Sequence, residues 1–154
     1  NAGVGLEVGR HPLEAQSQAG ALVGAPGEDR VDRQGLVVES VAVAVALAHL
    51  AFWDQRALFL LRQWKKDGVE ESPIDIDITN DSLLPLWLAI PPRKAAHLAI
   101  SSAEAIDQEL AEAPTELINE IVTLGEKFRL YRSIHRKQHL DEIEEYLNDM
   151  SKTW

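Results

Sequence analysis

Two histidines near the C-terminal end carry the most chemical potential in this chain, in Tyr131-Arg132-Ser133-Ile134-His135-Arg136-Lys137-Gln138-His139-Leu140-Asp141-Glu142. Four residues of α-helix turn through about 400°, so both imidazoles project from one face, one turn apart. In that arrangement they can share a metal ion, provided that a third ligand comes from elsewhere. The best candidate is His49, in the apolar run Leu47-Ala48-His49-Leu50-Ala51-Phe52-Trp53. An imidazole among such neighbours costs free energy unless its nitrogens are paired. A metal ion would satisfy one nitrogen, and a hydrogen bond to a neighbouring helix would do so equally. The same alternative holds for the pair, which as core-edge histidines would bond to carbonyls or carboxylates.

Around these three stand weaker candidates. Glu142, three residues beyond His139, could hold a ligand from behind, act as a general base, supply a fourth ligand, or be a surface helix charge. Asp54 and Asp141 have lesser claims of the same kind. His97 and His11 lack another histidine at ligand spacing and read as structural or exposed. Trp53, Trp87, Phe52 and Phe59 read as core aromatics, one of which could line a pocket. Arg136 follows His135 where a metalloprotease helix would carry glutamate, no glycine-rich phosphate loop is present, and Ser101-Ser102 has no partner base nearby. Nucleophilic serine chemistry is therefore unsupported.

The elements that must position these residues read as helices. Residues 37 to 66 contain no proline or glycine, and alanines alternate with Val41, Val43 and Val45, which favours a buried helix over a strand. Asp67-Gly68 ends it, and residues 70 to 77 read as an extended acidic loop around Pro73. Asn80 or Asp81 is placed to cap a short helix through Leu83, Leu84, Leu86 and Trp87, interrupted by Pro91-Pro92. A longer helix is expected from 92 to 113, with Ala96, Ala99, Ala103, Ile106 and Leu110 on one side. Pro114-Thr115 restarts the chain into Leu117, Ile118, Ile121 and Leu124, and Gly125 breaks or bends it.

A last helix is expected from 127 to 149, leaving residues 151 to 154 as a tail. Leu124, Phe128, Tyr131, His135, His139, Glu142 and Tyr146 fall within about 40° of one line, so its core-facing stripe runs through both histidines. Residues 1 to 35 are weakly defined, with a short helix from 12 to 23 stopped by Gly24-Ala25-Pro26-Gly27. The sum is an all-α single domain over residues 1 to 154, a four-helix bundle with an extra short helix.

Composition bounds the functional classes. With 154 residues, 45% hydrophobic and 26% charged, the chain can bury an ordinary core. A net charge of -10 argues against a nucleic-acid partner. The basic cluster Arg129, Arg132, Arg136 and Lys137 reads as a solvated helix face. The chain has no cysteine, which excludes disulfides, thiolate metal sites and thiol nucleophiles, so a metal must be held by nitrogen and oxygen. The apolar stretch from 41 to 53 is shorter than the roughly 20 residues of a membrane span, so no membrane partner is expected. Asn1-Ala2-Gly3 does not resemble a signal peptide, and the expected location is cytoplasmic.

The order and flanks of the histidines resemble a family. Leu47-Ala48-His49-Leu50-Ala51-Phe52-Trp53-Asp54 is similar to the second-helix signature of the DinB/YfiT-like metalloenzymes, and His135-Arg136-Lys137-Gln138-His139-Leu140-Asp141-Glu142-Ile143 to their last-helix signature. The resemblance spans roughly residues 28 to 147, and residues 83 to 110 resemble the ClbS/DfsB-like branch. One departure is Glu39-Ser40-Val41, where the family usually carries Trp-Ser-Val. The resemblance implies a DinB/YfiT-type bundle in which His49, His135 and His139 bind a divalent metal. It also implies a small-molecule substrate, with hydrolysis or transfer of a low-molecular-weight thiol as the reaction, and a homodimer as a plausible assembly. Zinc and nickel both suit nitrogen ligation. The open face of such a site is expected in a pocket lined by Trp53 or Tyr131. The rival class is a noncatalytic helical binding or dimerisation module with a structural or vestigial metal site.

Overall fold

The computed structural model describes residues 28–125 and 130–152, with side chains from Ser40 onward. Among these residues there are five helices and no strand: α1 (Glu28–Asp67), α2 (Ile76–Leu88), α3 (Pro92–Ala111), α4 (Thr115–Val122) and α5 (Arg132–Ser151). They form an all-α, sheet-free bundle in which α1 packs against α2, α3 and α5. The helix expected from 12 to 23 lies outside the described residues.

Helix α1 follows from its composition. No proline interrupts it, its second half is rich in good helix formers up to Asp67, and Gly68 then adopts φ +94°, a left-handed conformation that glycine reaches without a Cβ penalty. The helix begins at Glu28, well before the expected residue 37, and continues through Gly35. One glycine costs about 1 kcal/mol relative to alanine, which a 40-residue helix absorbs. From Ser40 onward α1 contains an 18-residue window of mean hydropathy 1.3, apolar enough to cross a membrane, yet 56% of that window is buried inside the protein, as in a core helix.

Two boundaries differ from expectation for identifiable reasons. Helix α2 is capped by Asp75, whose carboxylate accepts from the Ile78 backbone N–H at 2.9 Å, rather than by Asn80 or Asp81. Asp75 stands just before the apolar run begins at Ile76, so the helix starts a turn earlier and carries Asn80 into the interior. Helix α5 starts at Arg132 instead of 127 and runs to Ser151, taking in the first residue of the expected tail. Gly125, expected to break or bend the chain, adopts φ +61°. Helix α3 starts at Pro92, where a missing N–H costs nothing, and closes at Ala111 rather than 113.

The core falls into two apolar clusters. One joins Ala57, Leu58, Leu61 and Trp64 of α1 to Ile106 of α3 and Leu117 and Ile121 of α4. The other joins Ala44, Val45 and Ala48 of α1 to Trp87 of α2 and Ala95 of α3. Between these stretches of α1 lie two buried polar residues, His49 and Asp54, so a polar layer crosses the bundle between its two apolar ends. Phe59, expected in the core, is 66% exposed, because it falls on the outer face of α1 between Leu58 and Leu61.

Candidate metal centre

The polar layer is built from α1 and α5. On α5 the inward line is Arg132, His135, His139 and Ile143, spaced three, four and four residues apart. The line keeps His135 and His139 of the expected stripe, with Glu142 and Tyr146 half-buried beside it, and puts Arg132 in the place expected for Tyr131. Tyr131 precedes the first helical residue and is 70% exposed, since the late start of α5 leaves it outside the helical register. Phe128 lies outside the described residues.

The three histidines singled out from the sequence come together. His49, His135 and His139 are buried, and one nitrogen from each lies within 4.8 Å of the others. Their ring centroids are 5.7 Å apart for His49 and His135, 4.7 Å for His49 and His139, and 4.8 Å for His135 and His139. Tetrahedral nitrogen ligands around a first-row divalent ion stand about 3.3 Å apart. Side chains must move for the three to close on one ion, and three imidazole nitrogens are a donor set that suits a first-row divalent metal.

Each ring is held by different neighbours. Trp87 meets His49 edge-on with centroids 5.3 Å apart, and Trp53 lies tilted at 6.2 Å. Trp53 is itself fixed by donating from Nε1 to Oδ1 of Asn80 at 3.2 Å, which explains why Asn80 is buried rather than capping a helix. Glu142 Oε2 lies 2.8 Å from His139 Nδ1, the placement of a carboxylate that orients a ligand from behind. Beside His135 stands Arg132, whose Nη2 is 3.0 Å from Nδ1.

Arg132 and Arg136 were expected on a solvated face, and the structure corrects this. Arg132 is 6% exposed and donates from Nε to Oδ1 of Asp54 at 2.7 Å, while Arg136 Nε lies 3.4 Å from Asp54 Oδ2. Arg136 also reaches Asp107 on α3 with both terminal nitrogens. Only Lys137 of that cluster behaves as expected, exposed and paired with Asp141 one turn on; Arg129 lies outside the described residues. Asp54 thus serves as the buried counter-charge that draws two arginines inward. The available signal was its position in the apolar stretch of α1 that lacks glycine and proline, where a lone carboxylate requires a cation.

Burial and the nearby Arg132 charge hold the Arg56 guanidinium below its usual pKa, and Arg56 donates to the carbonyl and hydroxyl of Ser72. The Arg136 hydrogen bond is the main reason that the Asp107 carboxyl lies below the ordinary range, and in return it raises Arg136. His97 is exposed on α3, away from the three histidines, and His11 lies outside the described residues.

An open apolar recess lies along α1, α3 and α5, lined by Val43, Ala44, Leu47, Ala96 and Leu147 among others. Its lining includes neither Trp53 nor Tyr131, the residues expected to border the open face of the histidine site. Comparison of the chain with protein-family models, with curated proteins and with solved structures found no match.

Proposed function

We propose that this chain is a divalent-metal-dependent enzyme of the DinB/YfiT-like type, acting on a small molecule by hydrolysis or by transfer of a low-molecular-weight thiol. The observation that carries this reading is the convergence of three buried imidazoles from α1 and α5, with their nitrogens within 4.8 Å of one another. Buried histidines that only bond to helix carbonyls have no reason to face a common point. The order and flanking residues of the two histidine motifs support the family assignment.

His49, His135 and His139 would hold the ion, zinc or nickel. When bound, a divalent ion held by neutral nitrogens supplies a Lewis acid for a carbonyl or for an incoming nucleophile. His139 is oriented for ligation by Glu142, whose side chain is 26% exposed and so bridges the buried rings and solvent. That position suits Glu142 to accept a proton from an incoming water or thiol. Trp53 and Trp87 wall one side of His49, which is 4% exposed.

A second reading, a noncatalytic module with a structural ion, is favoured by the burial of all three rings, at 4 to 8% exposure. Titrating chelator-stripped protein with zinc or nickel tests the shared part of both readings, with about one ion per chain expected. Screens for ester and amide hydrolysis and for thiol addition, run on loaded and stripped protein, separate them. Metal-dependent turnover supports the enzyme, and stoichiometric binding that raises stability without turnover supports the structural ion.

A further inference from the structure

Resting on the metal reading above, we propose that Arg132 is a built-in competitor of the metal ion for His135: its guanidinium holds the ring in a state that cannot ligate and must release it when the ion enters. The argument starts from hydrogen-bond polarity. A guanidinium donates and never accepts. With Arg132 Nη2 at 3.0 Å, Nδ1 of His135 is therefore the acceptor. A neutral imidazole with a lone pair on Nδ1 carries its hydrogen on Nε2.

Both routes to ligation are then closed. An ion approaching Nε2 meets a hydrogen, and an ion approaching Nδ1 meets the guanidinium. The bond from Arg132 and a bond to a metal exclude one another for the neutral ring, whichever nitrogen faces the centre. His139 has the opposite setting. Its Nδ1 faces the Glu142 carboxylate at 2.8 Å, so Nδ1 donates and the ligating lone pair sits on Nε2. Histidines one turn apart are thus set in opposite tautomers by Arg132, three residues before one, and Glu142, three residues after the other. Histidine ligands are ordinarily backed by an acceptor, as His139 is, and a cation behind His135 reverses that rule.

Arg132 is held in this competing position by Asp54. That carboxylate is 0% exposed and accepts from Nε at 2.7 Å, leaving Nη2 aimed at the ring. Loading then requires Nη2 to withdraw and the ring hydrogen to pass from Nε2 to Nδ1, or the ring to turn over.

The test uses zinc alone as the probe, on chelator-stripped protein, with affinity read by competition against a chromophoric chelator. Arg132→Met removes the donor and keeps the unbranched bulk, and it is expected to bind zinc at least tenfold more tightly than the wild type. Because this variant leaves Asp54 buried beside Arg136 alone, the double variant Asp54→Asn/Arg132→Met is measured alongside it and is expected to bind more tightly too. Long-range proton–nitrogen NMR of the metal-free wild type is expected to find the hydrogen of His135 on Nε2 and that of His139 on Nδ1. Equal or weaker zinc affinity in the folded variants, with zinc still bound by the wild type, overturns this inference and leaves the metal reading standing. A metal-free His135 protonated on Nδ1 overturns it even if neither variant folds. Failure of the wild type and both variants to bind zinc overturns both inferences together.

Discussion

Asp54 on α1 and Arg132 on α5, 78 residues apart in sequence, form a buried ion pair at 2.7 Å with side chains 1% and 6% exposed. The pair ties the helix that carries His49 to the helix that carries His135 and His139. Removing one member of such a pair leaves a buried charge uncompensated, which costs about 3–5 kcal/mol. We expect Asp54→Ala to lower the unfolding free energy by about that amount, measured by chemical denaturation. Replacing both residues with apolar side chains of similar volume should cost less than the single change, because no charge is left unpaired. A single variant as stable as the wild type would mean that water reaches this layer.

His49 separates ligation from packing. Leucine fills its site beside Trp87 without leaving a polar atom, so His49→Leu should keep the helical circular dichroism signal while losing metal. His135→Ala and His139→Ala should likewise reduce bound metal, as measured by elemental analysis, from about one ion per chain. Unchanged stoichiometry in all three variants would count against the assignment.

Helix type and the three histidines were legible in the sequence because each rests on local periodicity. An i, i+4 spacing on a helix fixes a shared face before any tertiary contact is known, and an imidazole inside Leu47 to Trp53 needs a partner wherever the helix packs. What escaped were the relations between helices. Arg132 and Arg136 look like surface charges until Asp54 is placed opposite them, and only the packing of α1 against α5 does that. Asn80 looks like a cap until Trp53 Nε1 is found donating to it. Tyr131 falls on the core stripe only if the helical register is continued backward past the true start of α5 at Arg132.

The outer ion pairs set the response to acid. Hydrogen bonds from Arg136 hold the Asp107 carboxyl below its ordinary range, and those from Lys65 and then Arg62 do the same for Glu109. A carboxylate with a depressed folded-state pKa contributes stability that is fully present above its unfolded value, about 3.9 for Asp and 4.3 for Glu, and is lost as pH falls through the folded value. Urea midpoints should therefore fall below about pH 4. Asp107→Asn and Glu109→Gln should each flatten that fall, and added salt should reduce the wild-type effect, because these pairs are partly solvated. A midpoint that falls equally steeply in both variants would place the acid sensitivity elsewhere.

Glu142 is where orientation and proton transfer can be told apart. Its carboxylate accepts from His139 Nδ1 at 2.8 Å, and losing such a contact typically weakens metal affinity by about 10–100-fold. Glu142→Ala should show that loss. Glu142→Gln keeps an oxygen able to accept from Nδ1 and removes the basic carboxylate, so it should retain most of the metal affinity. If Glu142 also takes a proton during the reaction, the glutamine variant should be loaded with metal yet reduced in turnover by about 10²–10⁴-fold. Turnover in the loaded glutamine variant equal to that of the wild type would confine Glu142 to holding His139. The proton would then have to leave through another group or through water.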